Sequence, residues 1–303
     1  MSLLSYLLGF LTNLVIFALF SLGLNLQFGH TGLINFGHVA FMGVGAYTMV
    51  IIALSGAPLW LAMLVAVITA GAFGLLIGLP VIRLRDDYLA IVTIGFAEII
   101  RMVLNNESWL TRGPQGMFGF PVPFENLGLS PLGHRALFLA WILLTAGLVF
   151  WLVNRLTGSP WGRVLKAIRE DETVASSLGK NTVTYKLQAL VIGAMIAGLA
   201  GVQLALFLRY INPRNFMPLT TFVAWLIMIM GGVGRNWGVV IGSMMYFGLN
   251  AATQQFMARG LGPLTGGQMG ALRMMLVGLI LVLLMLYRPQ GILGRKEEMT
   301  LES

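Results

Sequence analysis

Glu98 and Arg101 are the pair whose types and spacing could do chemistry in this 303-residue chain. In YLAIVTIGFAEIIRMVLNN (88–106) the carboxylate stands about ten residues into an apolar run, or about 15 Å along a helix that rises about 1.5 Å per residue. That is close to the middle of a bilayer, where an ionised carboxylate is costly and is expected to face the bundle interior with a partner. Arg101, one helical turn on, shares its face and can be that partner. The pair reads either as a polar element of a substrate route or as an internal ion pair that locks helix packing. A proton relay is disfavoured, because no second carboxylate stands within another apolar run.

Other polar residues fall in stretches that interrupt the apolar pattern. FGHTGLINFGHVAFMGVGAY (28–47) holds five glycines together with Asn35 and His38, and MGGVGRNWG (230–238) ends a short apolar run. Glycine at this density, with amide and imidazole groups at membrane depth, predicts broken or re-entrant backbone. Such backbone survives in a bilayer only where it is buried in protein or lines a wet cavity. The two stretches occupy comparable places on either side of a polar segment at 154–186, the pattern of an internal repeat. His30 and His38 have neither cysteine nor a neighbouring carboxylate to complete a metal site, so a hydrogen-bonded histidine is the simpler reading. LTRGPQGMFGF (110–120) packs turn residues at Gly113, Pro114 and Gly116, as either a binding cap or a connector. We take Asn35, His38, Glu98, Arg101, Gly113 and Gly116 as candidates for a substrate route.

Positioning these residues is the task of the apolar remainder. The chain is 57% apolar and 10% charged, where a soluble domain carries about 25% charge, and its mean hydropathy is +0.85. The soluble-enzyme classes are thereby excluded. At about 20 apolar residues per crossing there is room for about eight to ten helices. Apolar runs at 3–26, 34–54, 57–80, 88–105, 136–153, 187–209, 219–233, 237–258 and 268–287 make nine crossings of an all-α polytopic membrane bundle with broken segments. Long continuous runs lack the alternation of a barrel. The first run has no basic n-region and no small-residue cleavage site, and reads as a retained span. Small residues recur every four positions at Ala62, Ala66, Ala70, Gly74 and Gly78, at Gly193, Ala197 and Gly201, and at Gly234, Gly238 and Gly242. Such stripes let helix backbones approach closely.

Loop charge sets the orientation. Arg83 and Arg85, the 154–186 segment with Arg155, Arg163, Lys166, Arg169, Lys180 and Lys186, and the tail 288–303 with Arg288, Arg295 and Lys296 are assigned to the cytoplasm. Nine crossings then leave the N-terminus outside and the C-terminus inside, although Arg209, Arg214, Arg259 and Arg273 oppose this assignment. The net charge of +8 sits in the same loops, so its partner is anionic membrane lipid rather than nucleic acid. Within 154–186, Ser159-Pro160 is a helix start with Ser159 as N-cap, and Gly179 suits the position just past the helix end. The run between reads as one short amphipathic helix, able to lie on the membrane or to dock in a groove of a partner protein. No G-x-x-x-x-G-K-[ST], G-x-S-x-G, H-E-x-x-H or dinucleotide fingerprint is present. Transport remains by exclusion, with its energy source open.

Four blocks, GLNLQFGHTGLINFGHVAFMGVGAYT (23–48), LRDDYLAIVTIGFAEIIR (84–101), SPWGRVLKAIREDETVASSLG (159–179) and MIMGGVGRNWGVVIG (228–242), resemble the permease subunits of branched-chain amino acid ABC transporters, the LivM type. The resemblance covers nearly the whole chain and implies a single permease domain over 1–303. It also implies a LivH-like sister permease, two ABC ATPase subunits in the cytoplasm and a periplasmic substrate-binding protein, in a bacterial inner membrane. ATP-Mg would sit on the partner ATPase, this chain being non-catalytic and holding no cofactor. Glu172, Ala175 and Gly179 resemble a degenerate E-A-A…G coupling motif; with Arg169, Glu170 and Asp171 they are the residues that the resemblance assigns to ATPase coupling. The same superfamily includes urea, amide and some sugar permeases, and Arg112 departs from the pattern expected beside Gly113. The expected function is the membrane-spanning subunit of an ATP-driven importer for branched-chain or other hydrophobic amino acids. A stand-alone secondary transporter or channel for a small polar solute is the alternative.

Overall fold

A computed structural model describes residues 3–260 and isolated positions between 268 and 293. The ninth apolar run and the tail 288–303 fall, those positions aside, outside the described residues. The other eight runs each coincide with helix. They are α1 (Leu3–Leu24), which continues through a π-helical turn at Asn25–Gly29, then α2 (His38–Leu54), α3 (Leu59–Val81) and α4 (Asp86–Asn106). After the short α5 (Ser108–Thr111) come α6 (Pro131–Thr157), α7 (Pro160–Glu170), α8 (Glu172–Ser177), α9 (Thr182–Leu208), α10 (Leu219–Gly231) and α11 (Asn236–Gly260).

Among the described residues, Leu3–Gly29, Leu59–Val81, Pro131–Thr157 and Thr182–Leu208 are each long and apolar enough to cross a membrane, and α10 with α11 form a further pair bent by 112°. Three of the predicted runs differ from plain spans for an identifiable reason. The 34–54 run includes backbone that is not helical, so α2 has 17 residues, or about 26 Å of helix. The 219–233 and 237–258 runs, expected as separate crossings, fold as one sharply bent pair whose first helix has 13 residues, about 20 Å.

At the centre of the bundle lies α9, buried along most of its length between α1, α2 and α3. Lipid offers no hydrophobic drive for helices to associate, so packing depends on close backbone approach. Ala62, Ala66 and Ala70 of α3 are completely buried toward α9, where Ala194, Ala197 and Ala200 are equally buried. Of the α9 glycines, Gly201 marks the tightest contact: a Cβ there would collide with the Met42 carbonyl oxygen of α2 and stand 3.2 Å from the Ala46 nitrogen. Polar side chains fasten what close packing aligns, as where Gln203 Nε2 donates to Thr145 Oγ1 of α6 at 2.7 Å.

The bundle has two polar ends. At one, Arg83, Arg85 and Asp87 share a cleft with Glu172 and Lys186. At the other, the start of α1 meets Glu125, His134, Arg135 and Arg209. There Arg209 Nη2 donates to His134 Nε2 at 3.0 Å and Nη1 lies 3.7 Å from the Glu125 carboxylate. Strand β1 (Met117–Phe118) pairs antiparallel with β2 (Tyr210–Ile211), Met117 opposite Ile211, and pins the 107–130 connection to the end of α9.

Replacing Gly201 by Ala adds a methyl group where Met42 already stands, so a loss of about 1–3 kcal/mol is expected. Gly147→Ala on α6, where nothing lies within 4 Å, gains up to about 1 kcal/mol of helix propensity instead. Thermal unfolding of the two variants in detergent checks the opposite signs.

Candidate functional site at the broken helices

The two glycine-rich stretches, far apart in sequence, meet at the polar end that carries Arg83 and Arg85. A π-helical turn at Asn25–Gly29 ends the first span, residues 32–37 are not helical, and α2 restarts at His38. Buried backbone freed by such a break must find partners. Phe36 N donates to Thr93 Oγ1 of α4 at 3.1 Å, Gly37 N to Asn35 Oδ1 at 2.9 Å, and Val39 N to Thr221 Oγ1 of α10 at 3.0 Å. The Thr31 hydroxyl donates to the Gln27 carbonyl. Gln27 Nε2 donates to Leu190 O of α9 at 3.0 Å, and its Oε1 accepts from Asn35 Nδ2 at 2.8 Å. Trp225 of α10 packs between Phe28 and Phe36, with ring centroids 4.5 and 5.0 Å away. The second break closes in the same way: Ile292 N and Leu293 N donate to Met230 O and Gly231 O, the last carbonyls of α10.

A chain of amides joins the two breaks. Gly234 N donates to Asn25 Oδ1 at 2.9 Å, Asn25 Nδ2 to Asn236 Oδ1 at 3.1 Å, and Asn236 Nδ2 to Asn154 Oδ1 of α6 at 2.7 Å. His30 Nε2 lies 3.4 Å from Asn236 Oδ1. Both glycines are required by contact: a Cβ on Gly29 would stand 2.7 Å from Gly234 N, and one on Gly234 would stand 2.8 Å from Gly29 O. Into this junction Arg169 of α7 donates from Nη1 to Gly29 O at 2.6 Å.

The segment 160–178, expected as one helix, is two. Asp171 leaves the helical region (φ −156°, ψ 108°), and its Oδ1 accepts from Thr173 N at 2.8 Å and Val174 N at 3.0 Å, which caps α8. Ser159 occupies the cap position of α7 but turns its hydroxyl to Leu156 O at 2.7 Å. Gly179, at φ +78°, closes α8 with a Schellman pair, Gly179 N to Ser176 O and Lys180 N to Ala175 O. Gly162, Leu165 and Ile168 bury the inner face of α7, while Arg163, Lys166 and Glu170 face outward. Glu172 pairs with Lys186 at the start of α9, Ala175 is buried, and Val174 (55%) and Leu178 (75%) remain exposed. Of the residues assigned to coupling, Glu170, Asp171 and Glu172 therefore lie on the open surface, Ala175 supports the arm from below, and Arg169 points the opposite way, into the bundle.

The six candidates for a substrate route lie in three places. Asn35 and His38 are core residues: His38 Nε2 donates to Phe20 O at 3.1 Å, and Phe20 and Phe41 flank its ring. Gly113 and Gly116 form the turn that leads into β1, at the end of the bundle away from Arg83, where Tyr210 Oη donates to Gln115 O at 2.9 Å and the Arg112 guanidinium lies 5.7 Å from the Phe118 ring centre. Glu98 and Arg101 form a two-pronged pair, with Arg101 Nε donating to Glu98 Oε2 at 2.8 Å and Nη2 to Oε1.

This pair does not face the interior of its own bundle, as its depth had led us to expect. Helix α4 buries Leu89, Thr93 and Ala97 against the bundle, and residue 98 stands a further 100° around the helix. Glu98 and Arg101 are consequently 34% and 24% exposed on an open flank, among exposed Ile91, Ile99 and Met102. Asn25, Gln27, Asn154 and Asn236 were missed as a group. Their signal was an isolated amide inside or at the end of an apolar run, which has no periodicity to single it out.

The model of the family described as "Branched-chain amino acid transport system / permease component" matches residues 6–285. The LivM permease protein of the high-affinity branched-chain amino acid transport system of Escherichia coli is 32% identical over 93% of this chain and 68% of its own length. A probable LivM permease protein of Methanocaldococcus jannaschii is 27% identical over 92% of this chain and 91% of its own. The E. coli LivH permease protein is 29% identical over 93% and 92%. No solved structure matches the chain. With eight apolar runs folded as helices and a family match over most of its length, this multi-pass membrane protein belongs to the family of branched-chain amino acid transport permease components.

Proposed function

We propose that the chain is one of two permease subunits of an ATP-driven importer of branched-chain and other hydrophobic amino acids. Its arm α7–α8 docks on an ABC ATPase subunit at the inner face of a bacterial plasma membrane. The observation that carries the reading is that arm: a firmly seated pair of short helices that exposes Val174 and Leu178 beside Glu170, Asp171 and Glu172. Exposed apolar side chains ringed by charge suit a protein groove. The same end carries Arg83 and Arg85, which supports a cytoplasmic placement by the positive-inside rule and leaves the start of α1 outside. ATP-Mg is held by the ATPase, and the chain itself needs no cofactor. A periplasmic binding protein delivers substrate to the end pinned by β1 and β2.

The open flank of α4 supports a sister subunit of LivH type. A carboxylate and a guanidinium at bilayer depth are costly against lipid and are expected to face protein or a wet cavity. Pairing two permeases across α4 places Glu98 and Arg101 beside the path between them. A zwitterionic amino acid brings an ammonium and a carboxylate, the two charges this ion pair can complement.

Three outcomes test the reading. Leu178→Glu is expected to abolish copurification of the ATPase while leaving the folded yield unchanged; retained ATPase with normal uptake overturns the docking assignment. Glu98→Gln is expected to lower leucine uptake about tenfold, the size of one lost charge-assisted hydrogen bond, with little loss of folded protein; equal losses in both make the pair structural. Because the chain has no cysteine, Ile99→Cys gives a single reactive site, expected to be labelled by an apolar maleimide in the isolated subunit and protected in the assembled complex. Equal labelling places α4 against lipid.

A further inference from the structure

We infer that Arg169 is the positioning residue that transmits movement of α7 to both broken helices, by holding the Gly29 carbonyl at the point where the breaks touch. The inference rests on the reading of α7–α8 as the ATPase-driven arm and goes beyond it, because Arg169 faces away from any ATPase docked on the exposed face of that arm.

Three observations converge on this side chain. Its Nη1 donates to Gly29 O at 2.6 Å, closing the end of the first span. A Cβ built on Gly234 would stand 2.7 Å from the same nitrogen, so the guanidinium also lies against the second break. A Cβ on Gly32 would stand 3.6 Å from Arg169 Cγ and 3.8 Å from its Cα, which places the first residues beyond the π turn directly on α7. One side chain thus spans the helix that an ATPase would move and the two interruptions that could bend in response.

The chemistry suits arginine. Gly29 ends a helical span, so the guanidinium donates to a carbonyl at the negative end of that helix dipole. A rigid planar fork holds its direction, whereas an ammonium on a flexible stem does not. Around it, the junction can move as a unit. Asn25, Gly234, Asn236 and Asn154 are joined by hydrogen bonds of 2.7–3.1 Å that link α1, the α10–α11 break and α6. The α6 end of that chain runs straight into α7 through Gly158 and Ser159, so α7 holds the junction covalently on one side and through Arg169 on the other. Displacing α7 must then shift the two breaks together, or Arg169 must let go.

The test uses the complete transporter in liposomes, with binding protein and ATPases, and reads leucine imported per ATP hydrolysed. For Arg169→Ala the ATPase is expected to remain bound while leucine moved per ATP falls at least tenfold. Arg169→Lys, which keeps charge and length, is expected to recover only part of that ratio, and it carries the test if the alanine variant does not fold. Asn25→Ala, which leaves α7 untouched, is expected to reproduce the loss. An unchanged ratio in both Arg169 variants overturns the inference. Loss of ATPase binding in Arg169→Ala also overturns it, by making the residue a docking contact, and leaves the importer reading intact. If the unaltered chain binds no ATPase, or leucine crosses without ATP, the importer reading itself fails.

Discussion

Backbone amides inside a bilayer have no water to turn to, and the architecture of this protein follows from how two interruptions in its helices meet that demand. The first spends its free donors on Thr93, Thr221 and Asn35, and the second lends the Gly234 amide to Asn25 while its last carbonyls accept from Ile292 and Leu293. Neighbouring elements thus close each interruption, and the bond of Gly234 to Asn25 joins the two. The bundle is arranged so that α4, α6, α7, α9 and α10 all reach the place where they touch.

The rest of the molecule divides its work by depth. Through the middle, alanine and glycine let α9 sit against α2 and α3 with little side chain between them, which gives a rigid body where lipid supplies no hydrophobic drive. At the end away from Arg83 and Arg85 a two-residue ladder, the Tyr210–Gln115 bond and the contacts of Arg209 hold a long connection in one shape. At the other end the joints are amide side chains and one guanidinium. Such bonds are directional and can be exchanged for others at small net cost, so this is where two arrangements of the same bundle are easiest to accommodate.

Much of this was legible in the residues. Run lengths located eight helices, glycine density located both breaks, four-residue stripes located the tight helix contacts, and Gly179 marked the end of the amphipathic arm. Misreadings came where local pattern and three-dimensional partner parted ways. Asp171 looked like one more charge on a helix surface, yet its short carboxylate was free to cap Thr173 and Val174 and so divide the arm. Ser159 stood in the right position for a cap, but the turn from α6 into α7 brought Leu156 O within closer reach of its hydroxyl. Asn35 and His38, polar groups at depth, also have structural partners that no local pattern announced: Asn35 joins Gln27 to Gly37 at the first break, and His38 donates to Phe20 O.

Depth, span and helix-breaking were determined by the sequence alone, because they depend on hydrophobicity and glycine content within a window of neighbouring residues. The side of α4 on which Glu98 and Arg101 stand was not, since a helix face acquires an inside only when another helix covers it. Nor was the meeting of Gly29 with Gly234 under Arg169. That contact joins residues some two hundred positions apart, and it exists only because the two breaks lie at the same depth and at the same end of the bundle.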